Sequence, residues 1–490
     1  EIGKWGFGAI ALNGTIGAGI FALPAIAVQQ AGWFSPWVFA LCGILIMAIV
    51  LVFARVASLV GDTGGPVAYA ASAFGPFAGF QAGWLLTLSR AAAFAANAHL
   101  MVTYAAWFLP PLGSGPLYTA AVLALCLVLA VVNILGVRQG MLALFVFTAL
   151  KLLPLLLLIL LGLGQVRPEI FSRDALPPLD SLGETMLVVF YAFVGFESAV
   201  IPAGEARNPR RDIPLALVRT ILMITAFYVL LQAVAVSVAP EIGASDAPLA
   251  TVATVLLGGA GAAVIALGAV FSISGNLTAS MLSAPRMLYA LGRQGSLPAW
   301  FGRVHDRFQT PANAIGFYAG FTILLALSGG FVWLAVVSTV VRLMVYVLSI
   351  ATLPVLQRRD AGAEPSFRLP GGYLVPLLAA GISVWLMSFA PLESWLGAGA
   401  VMALGAVVYG LARRGGRSSQ DRLWRFGSTA GQGQVGAQAA QYAGAVIELA
   451  DVKIDKVQDY DDAQAMPLGC FDEPLTALPD ERYIVRRDPR

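Results

Sequence analysis

The chain has 490 residues, of which 58% are hydrophobic and 12% charged, with a net charge of +3 and a mean hydropathy of +0.79. Ordinary globular domains carry about 25% charged residues, and this chain instead repeats apolar runs longer than the ~20 residues needed to cross a bilayer. A soluble multidomain chain is excluded, and so is a β-barrel, whose strands would be short and alternating; the fold class is an all-α polytopic membrane protein.

About twelve spans are predicted, at 5–28, 36–60, 76–108, 116–135, 139–164, 183–205, 213–239, 258–292, 311–328, 331–356, 373–391 and 394–412. The chain starts at Glu1 and enters the first span almost at once, so an amino-terminal tail is expected to precede it. Near the middle of span one lies Gly14-Thr15-Ile16-Gly17-Ala18-Gly19. Glycine weakens a helix and tolerates backbone angles that other residues avoid. A broken backbone survives in a membrane only where protein or a water cavity surrounds it, and it then offers N–H groups and a positive dipole end to an anion. Close helix packing through small residues is the other reading of this stretch.

Between spans two and three, Gly64-Gly65-Pro66 followed by 67–74 predicts a short helix. The stretch 165–182, with Pro168, Pro177 and Pro178, reads as an ordered loop. The stretch 190–214 is a second apolar segment interrupted by glycine, at Gly195, with an acid, Glu197, directly after it. Two glycine-interrupted spans at matching places in two halves point to a transporter binding site at mid-membrane. Residues 240–257, with Pro240 and Pro248, read as a helical lid.

The basic residues fix an orientation. Arg55, Arg138, Arg207, Arg210, Arg211, Arg293, Arg303, Arg307, Arg358, Arg359, Arg413 and Arg414 fall on one side, and Arg167 and Arg173 in loops on the other. Both termini are therefore expected in the cytoplasm and the protein in the cell inner membrane. Residues 1–412 form the transmembrane domain. From 413 to 490 the chain turns first Gly-, Gln- and Ser-rich, then acidic, and reads as a linker and a solvated tail. Cys42, Cys126 and Cys470 lack metal or disulfide spacing. No Walker loop, metal cluster or nucleophile–base pattern is found, so no cofactor, no nucleic-acid partner and no enzymatic activity are expected.

The chain resembles the amino acid–polyamine–organocation transporter superfamily. The residues that carry the resemblance are Ile16-Gly17-Ala18-Gly19-Ile20-Phe21 and Pro24 in span one, and Gly195-Phe196-Glu197, Glu205, Asn208-Pro209, Arg211 and Ile213-Pro214 around span six. Asn133, Gly136 and Val137, with Arg286, Tyr289-Ala290-Leu291 and Leu297-Pro298, also fit, and the match covers about residues 1–412. The resemblance implies a LeuT-type fold, with spans one to five and six to ten as inverted repeats and helices one and six broken around the substrate. An amino acid or related amine is the implied cargo. Ile16, Gly17, Ala18, Gly19, Tyr191, Phe193, Val194 and Gly195 would shape the pocket, and the aromatic rings of Tyr191 and Phe193 would either close over the substrate or pack within the bundle.

An ionisable side chain at mid-bilayer is costly and needs a reason. Four lie there: Arg90, Lys151, Glu197 and Arg342. In several proton-coupled or uncoupled relatives a span-five lysine resembles Lys151 and replaces the sodium of sodium-dependent relatives. Its ammonium would donate to carbonyls freed by the span-one break, as a proton carrier or as a fixed cation. Glu197 lies where helix six is expected to resume, and either Arg90 or Arg342 would pair with it. Asn276 and Ser280 would face the bundle interior, and His99 a helix–helix contact. The function expected is secondary active transport of amino acids by alternating access, as proton-coupled symport. A sodium-independent exchanger or a membrane-embedded amino-acid sensor is the alternative.

Overall fold

The structure is a computed structural model describing residues 4–60, 63–136, 141–171, 177–206, 208–359, 367 and 369–415. Val137, Arg138, Arg173, Arg207 and the tail from 416 to 490, including Cys470, lie outside the described residues, so the reading of 413–490 meets the structure only where a last helix closes at Gly415.

The described chain is a bundle of α-helices. α1 (Lys4–Thr15) and α2 (Gly19–Ala31) form the first crossing, broken at residues 16–18. α3 (Ser35–Leu59) is the second, and α4 (Pro66–Phe74) is the short helix expected after Gly65. α5 (Pro76–Ala105), α6 (Gly115–Ile134) and α7 (Met141–Gly162) complete the first half. α8 (Leu179–Phe190) opens the second half and runs into irregular turns. α9 (Pro209–Val238), α10 (Pro248–Arg293), α11 (Ala312–Ser328) and α12 (Phe331–Arg359) follow, then α13 (Leu374–Ser388) and α14 (Leu392–Gly415). Counting α1 with α2 as one crossing, α8 with its turns as another, and leaving out α4, the crossings number twelve. Prolines mark several helix starts, at Pro36, Pro66, Pro76 and Pro209, where a missing N–H costs nothing.

α10 is two helices merged at Gly258, whose φ of 69° breaks the ladder. The piece before it, 248–257, is helical, as expected within 240–257, and leads directly into the eighth crossing.

Packing between helices carries the inverted repeat. α3 lies along α9, and α5 along both α10 and α12; α7 packs on α10, α1 on α9, and α8 on α3. Exchange crossings one to five for six to ten, and the α5–α12 pair becomes α10–α7, while α1–α9 becomes α8–α3. The α3–α9 and α5–α10 pairs map onto themselves. The two halves therefore pack by one rule. The central layer holds an aromatic cluster: Phe53 stacks edge-on with Phe196 and Tyr346 at 5.2 and 5.3 Å between ring centroids.

Candidate functional site

The two helix breaks touch each other. α1 ends at Thr15, and α2 starts at Gly19 with Ala18 as its N-cap and no capping side chain, so its first N–H groups point at the break without a side-chain acceptor. On the other half, α8 ends at Phe190, a 3₁₀ turn covers Tyr191–Phe193, and Val194 is extended. Gly195 has φ 112°, and a Cβ there would lie 2.2 Å from the carbonyl oxygen of Gly14. A Cβ on Gly14 would in turn lie 2.7 Å from the carbonyl oxygen of Gly195. Both positions need glycine because main chain meets main chain.

Helix six does not resume as an α-helix after Gly195. Only the 3₁₀ turns Phe196–Ala199 and Ala203–Glu205 follow. Two local causes act. The Glu197 side chain turns back to accept the Gly195 N–H at 2.9 Å, a bond that competes with the helical ladder. Pro202 then has no N–H to give to the carbonyl one turn before it.

Around the breaks sit the four ionisable groups. Lys151, 2% exposed, sends its ammonium into the end of α1. It donates to the Ile16 carbonyl at 2.8 Å, to the Asn13 carbonyl at 3.3 Å and to the Asn13 side-chain oxygen. These are the carbonyls that the break leaves without helical donors, at the negative end of the α1 dipole. Glu197 is fully buried, and the sequence left its partner open; Arg342 takes it, with Nη1 at 3.4 Å from Oε1. Tyr346 donates its hydroxyl to Glu197 Oε2 at 2.7 Å, and Arg342 Nε donates to Ser89 Oγ at 3.1 Å. Arg90, partly exposed, gives one hydrogen bond instead, to Ser198 Oγ at 3.2 Å.

This framework matches a known family. The model of the amino acid permease family aligns with residues 2–408. The chain belongs to the amino acid permease family. Among similar proteins, the serine/threonine exchanger SteT of Bacillus subtilis (strain 168) is 27% identical over 417 residues, covering 81% of this chain and 94% of the relative. The methylthioribose transporter of the same organism is 26% identical, over 81% of this chain and 90% of the relative. The human b(0,+)-type amino acid transporter 1 is 27% identical, over 77% and 80%.

In this permease the remaining expected pocket residues divide. Ile16, Ala18 and Val194 are buried in the break region, and Gly19 sits against Tyr191, whose Cδ1 would lie 3.1 Å from an added Cβ. Gly17 instead faces α10, where Asn276 Nδ2 would lie 3.2 Å from its Cβ. Phe193 takes the packing alternative. Its ring is fully buried between Phe39 and Tyr228, at 6.5 and 5.2 Å, so it packs α8 onto α3 and α9 rather than closing over a ligand. Tyr191 does face the break region, edge-on to Phe331. A polar chain crosses three helices there: Tyr191 Oη donates to Asn97 Oδ1 at 2.8 Å, and Asn97 Nδ2 to Asn276 Oδ1 at 2.9 Å.

Asn97, Tyr346, Ser89 and Ser198 escape the sequence reading. Asn97 alone carried a usable signal, as the one amide within the alanine-rich run 91–98. Ser280 bonds the Tyr318 hydroxyl at 3.1 Å, and His99 bridges the Tyr118 hydroxyl and the Ala326 carbonyl, each at 2.9 Å, a helix–helix contact.

The end of the bundle beyond α2 is sealed. Ten of the thirteen α2 residues are buried, Tyr104 donates its hydroxyl to the Phe21 carbonyl at 2.7 Å, and Ile242 is buried in the turn that covers α2. α1, toward the arginine-rich end, keeps most of its described side chains partly exposed.

Proposed function

We propose that this protein is a secondary transporter of amino acids in the cell inner membrane, working by alternating access with both termini in the cytoplasm. The observation that carries the reading is the meeting of two opposed helix ends, the start of α2 and the end of α8, where Gly19 lies against Tyr191 and Ala192. The uncapped N-terminus of α2 attracts a carboxylate, and the carbonyl end of α8 attracts an ammonium. An α-amino acid carries both groups. Family membership and relatives named as amino acid transporters support the same cargo. The arginine distribution supports the orientation, with the half-open α1 end facing the cytoplasm.

We further propose that Lys151 couples transport to a proton. Its three acceptors all belong to the last turn and break of α1, so tilting α1 removes every one of them together. An ammonium stripped of its acceptors in an apolar surrounding releases its proton. Held throughout, the same ammonium is a fixed cation in a sodium-independent exchanger. The saturated contacts of Lys151 and the exchanger among the relatives are what support this alternative.

Proteoliposome uptake decides between them. Under coupling, an inward proton gradient drives accumulation of a labelled amino acid, and Lys151→Ala removes the acceleration. Under exchange, uptake requires internal amino acid and ignores the gradient. No flux of any amino acid in either direction overturns the transporter reading and leaves the sensor.

A further inference from the structure

The charge balance inside the bundle is uneven. The sequence contains no acid from 63 to 168, from 247 to 305 or from 307 to 359, which covers crossings three to five and eight to ten. Glu197 is consequently the single mid-membrane carboxylate among the described residues, against three cations, Arg90, Lys151 and Arg342. Lys151 is satisfied by carbonyls, and Arg342 takes Glu197. Glu197 Oε2 accepts from both Gly195 and Tyr346, and Oε1 lies 3.4 Å from Arg342 Nη1 without a hydrogen bond, so this one carboxylate stands against two guanidinium groups and a positive charge is left over.

Arg90 is thus left with one neutral partner, Ser198 Oγ, although a guanidinium offers five N–H donors. Its position is close to the breaks. A Cβ on Gly14 would lie 3.4 Å from both Cβ and Oγ of Ser198, so the Arg90 guanidinium borders the point where the two broken helices cross. Its neighbour Ser89 accepts from Arg342, so of two consecutive residues of α5 one receives a guanidinium and the other carries one. Arg90 is partly exposed. A guanidinium cut off from water without a hydrogen-bonded anion is strongly disfavoured.

We propose that Arg90 receives a second carboxylate, so that the substrates of this permease include acidic amino acids. The inference rests on the amino-acid transporter reading and names the substrate class for that site. A neutral amino acid brings equal charge of both signs and leaves Arg90 uncompensated. An acidic one adds a single negative charge, and the planar fork of arginine matches a carboxylate in two parallel hydrogen bonds. A free inorganic anion has the same charge, so the test separates the two sources.

Purified full-length protein is titrated with L-aspartate and with L-asparagine, which differ in carboxylate against amide, and binding is read by thermal shift and by competition in proteoliposomes. Aspartate is expected to bind at least as tightly as asparagine. Arg90→Gln should lower the aspartate-to-asparagine affinity ratio about tenfold or more, the scale of a hydrogen bond to a charged group, and Arg90→Lys should restore part of it. Asparagine binding without aspartate binding in the unmodified protein overturns the inference whether or not any variant folds, and so does a ratio unchanged in Arg90→Gln. Repeating the titrations with gluconate in place of chloride tests the other source. Asparagine binding that needs chloride, with the need abolished in Arg90→Gln, assigns the place to an inorganic anion and overturns the acidic substrate. Binding of no amino acid at all overturns the transporter reading, and this inference with it.

Discussion

The buried pair Arg342–Glu197 and the buried ammonium of Lys151 set the stakes for single substitutions. Glu197→Gln leaves Arg342 buried beside a neutral amide, and breaking such a pair costs about 3–5 kcal/mol. The expected outcome is a large fall in thermal unfolding temperature in detergent, with partial recovery in the double variant Glu197→Gln/Arg342→Met. If the glutamate only positions its neighbours, Glu197→Gln slows transport but keeps any proton dependence. Lys151→Ala empties the place at the end of α1 and leaves the Ile16 and Asn13 oxygens facing it. Transport by the unmodified protein should be indifferent to replacing sodium with choline, whereas Lys151→Ala should gain thermal stability from sodium. A sodium requirement in the unmodified protein contradicts this assignment. The four charged groups were legible as residues because charge in an apolar span stands out. Their pairing was not legible, since Arg90 and Arg342 lie at similar depths on crossings far apart in sequence, and only the fold decides that Arg342 makes the contact.

At the scale of elements, hydropathy located the crossings because each is a long apolar run bounded by proline, glycine or charge. The two breaks were legible because glycines cluster where a membrane helix should be regular. The failure of helix six to resume was not legible, because it depends on where the Glu197 side chain points. The direction of Phe193 was hidden for a similar reason: in a 3₁₀ turn next to an extended residue, the 3.6-residue period no longer tells which face a ring takes. Gly17→Leu drives its side chain into Asn276, the end of the Tyr191–Asn97–Asn276 chain. Loss of amino-acid binding in a protein that still folds is expected, checked by size-exclusion profile and ligand-induced thermal shift. Unchanged affinity would move the site away from the α2 end.

For the whole molecule, the seal over α2 and the looser packing of α1 make a statement about access. Without substrate, Ser198→Cys, beside the crossing of the breaks, should react with a membrane-impermeant thiol reagent applied from the arginine-rich side and resist the same reagent from the other. An added substrate that closes the path should slow the reaction. Equal labelling from both sides contradicts the sealed end. The inverted repeat explains why one end can seal while the other loosens: the same packing rule, applied to opposite halves, serves each end in turn.

The contact between Gly14 and Gly195 carries a consequence for genetics. Elsewhere in the bundle a glycine abuts a side chain, as Gly162 does Val234, where an added Cβ would meet Cγ1 at 2.2 Å but Cβ only at 3.4 Å. A selection for suppressors of Gly162→Ala has a solution within reach, Val234→Ala. At Gly14 and Gly195 the obstacle on each side is a peptide oxygen, which no codon change removes. Suppressor screens started from Gly14→Ala or Gly195→Ala should return reversion to glycine alone.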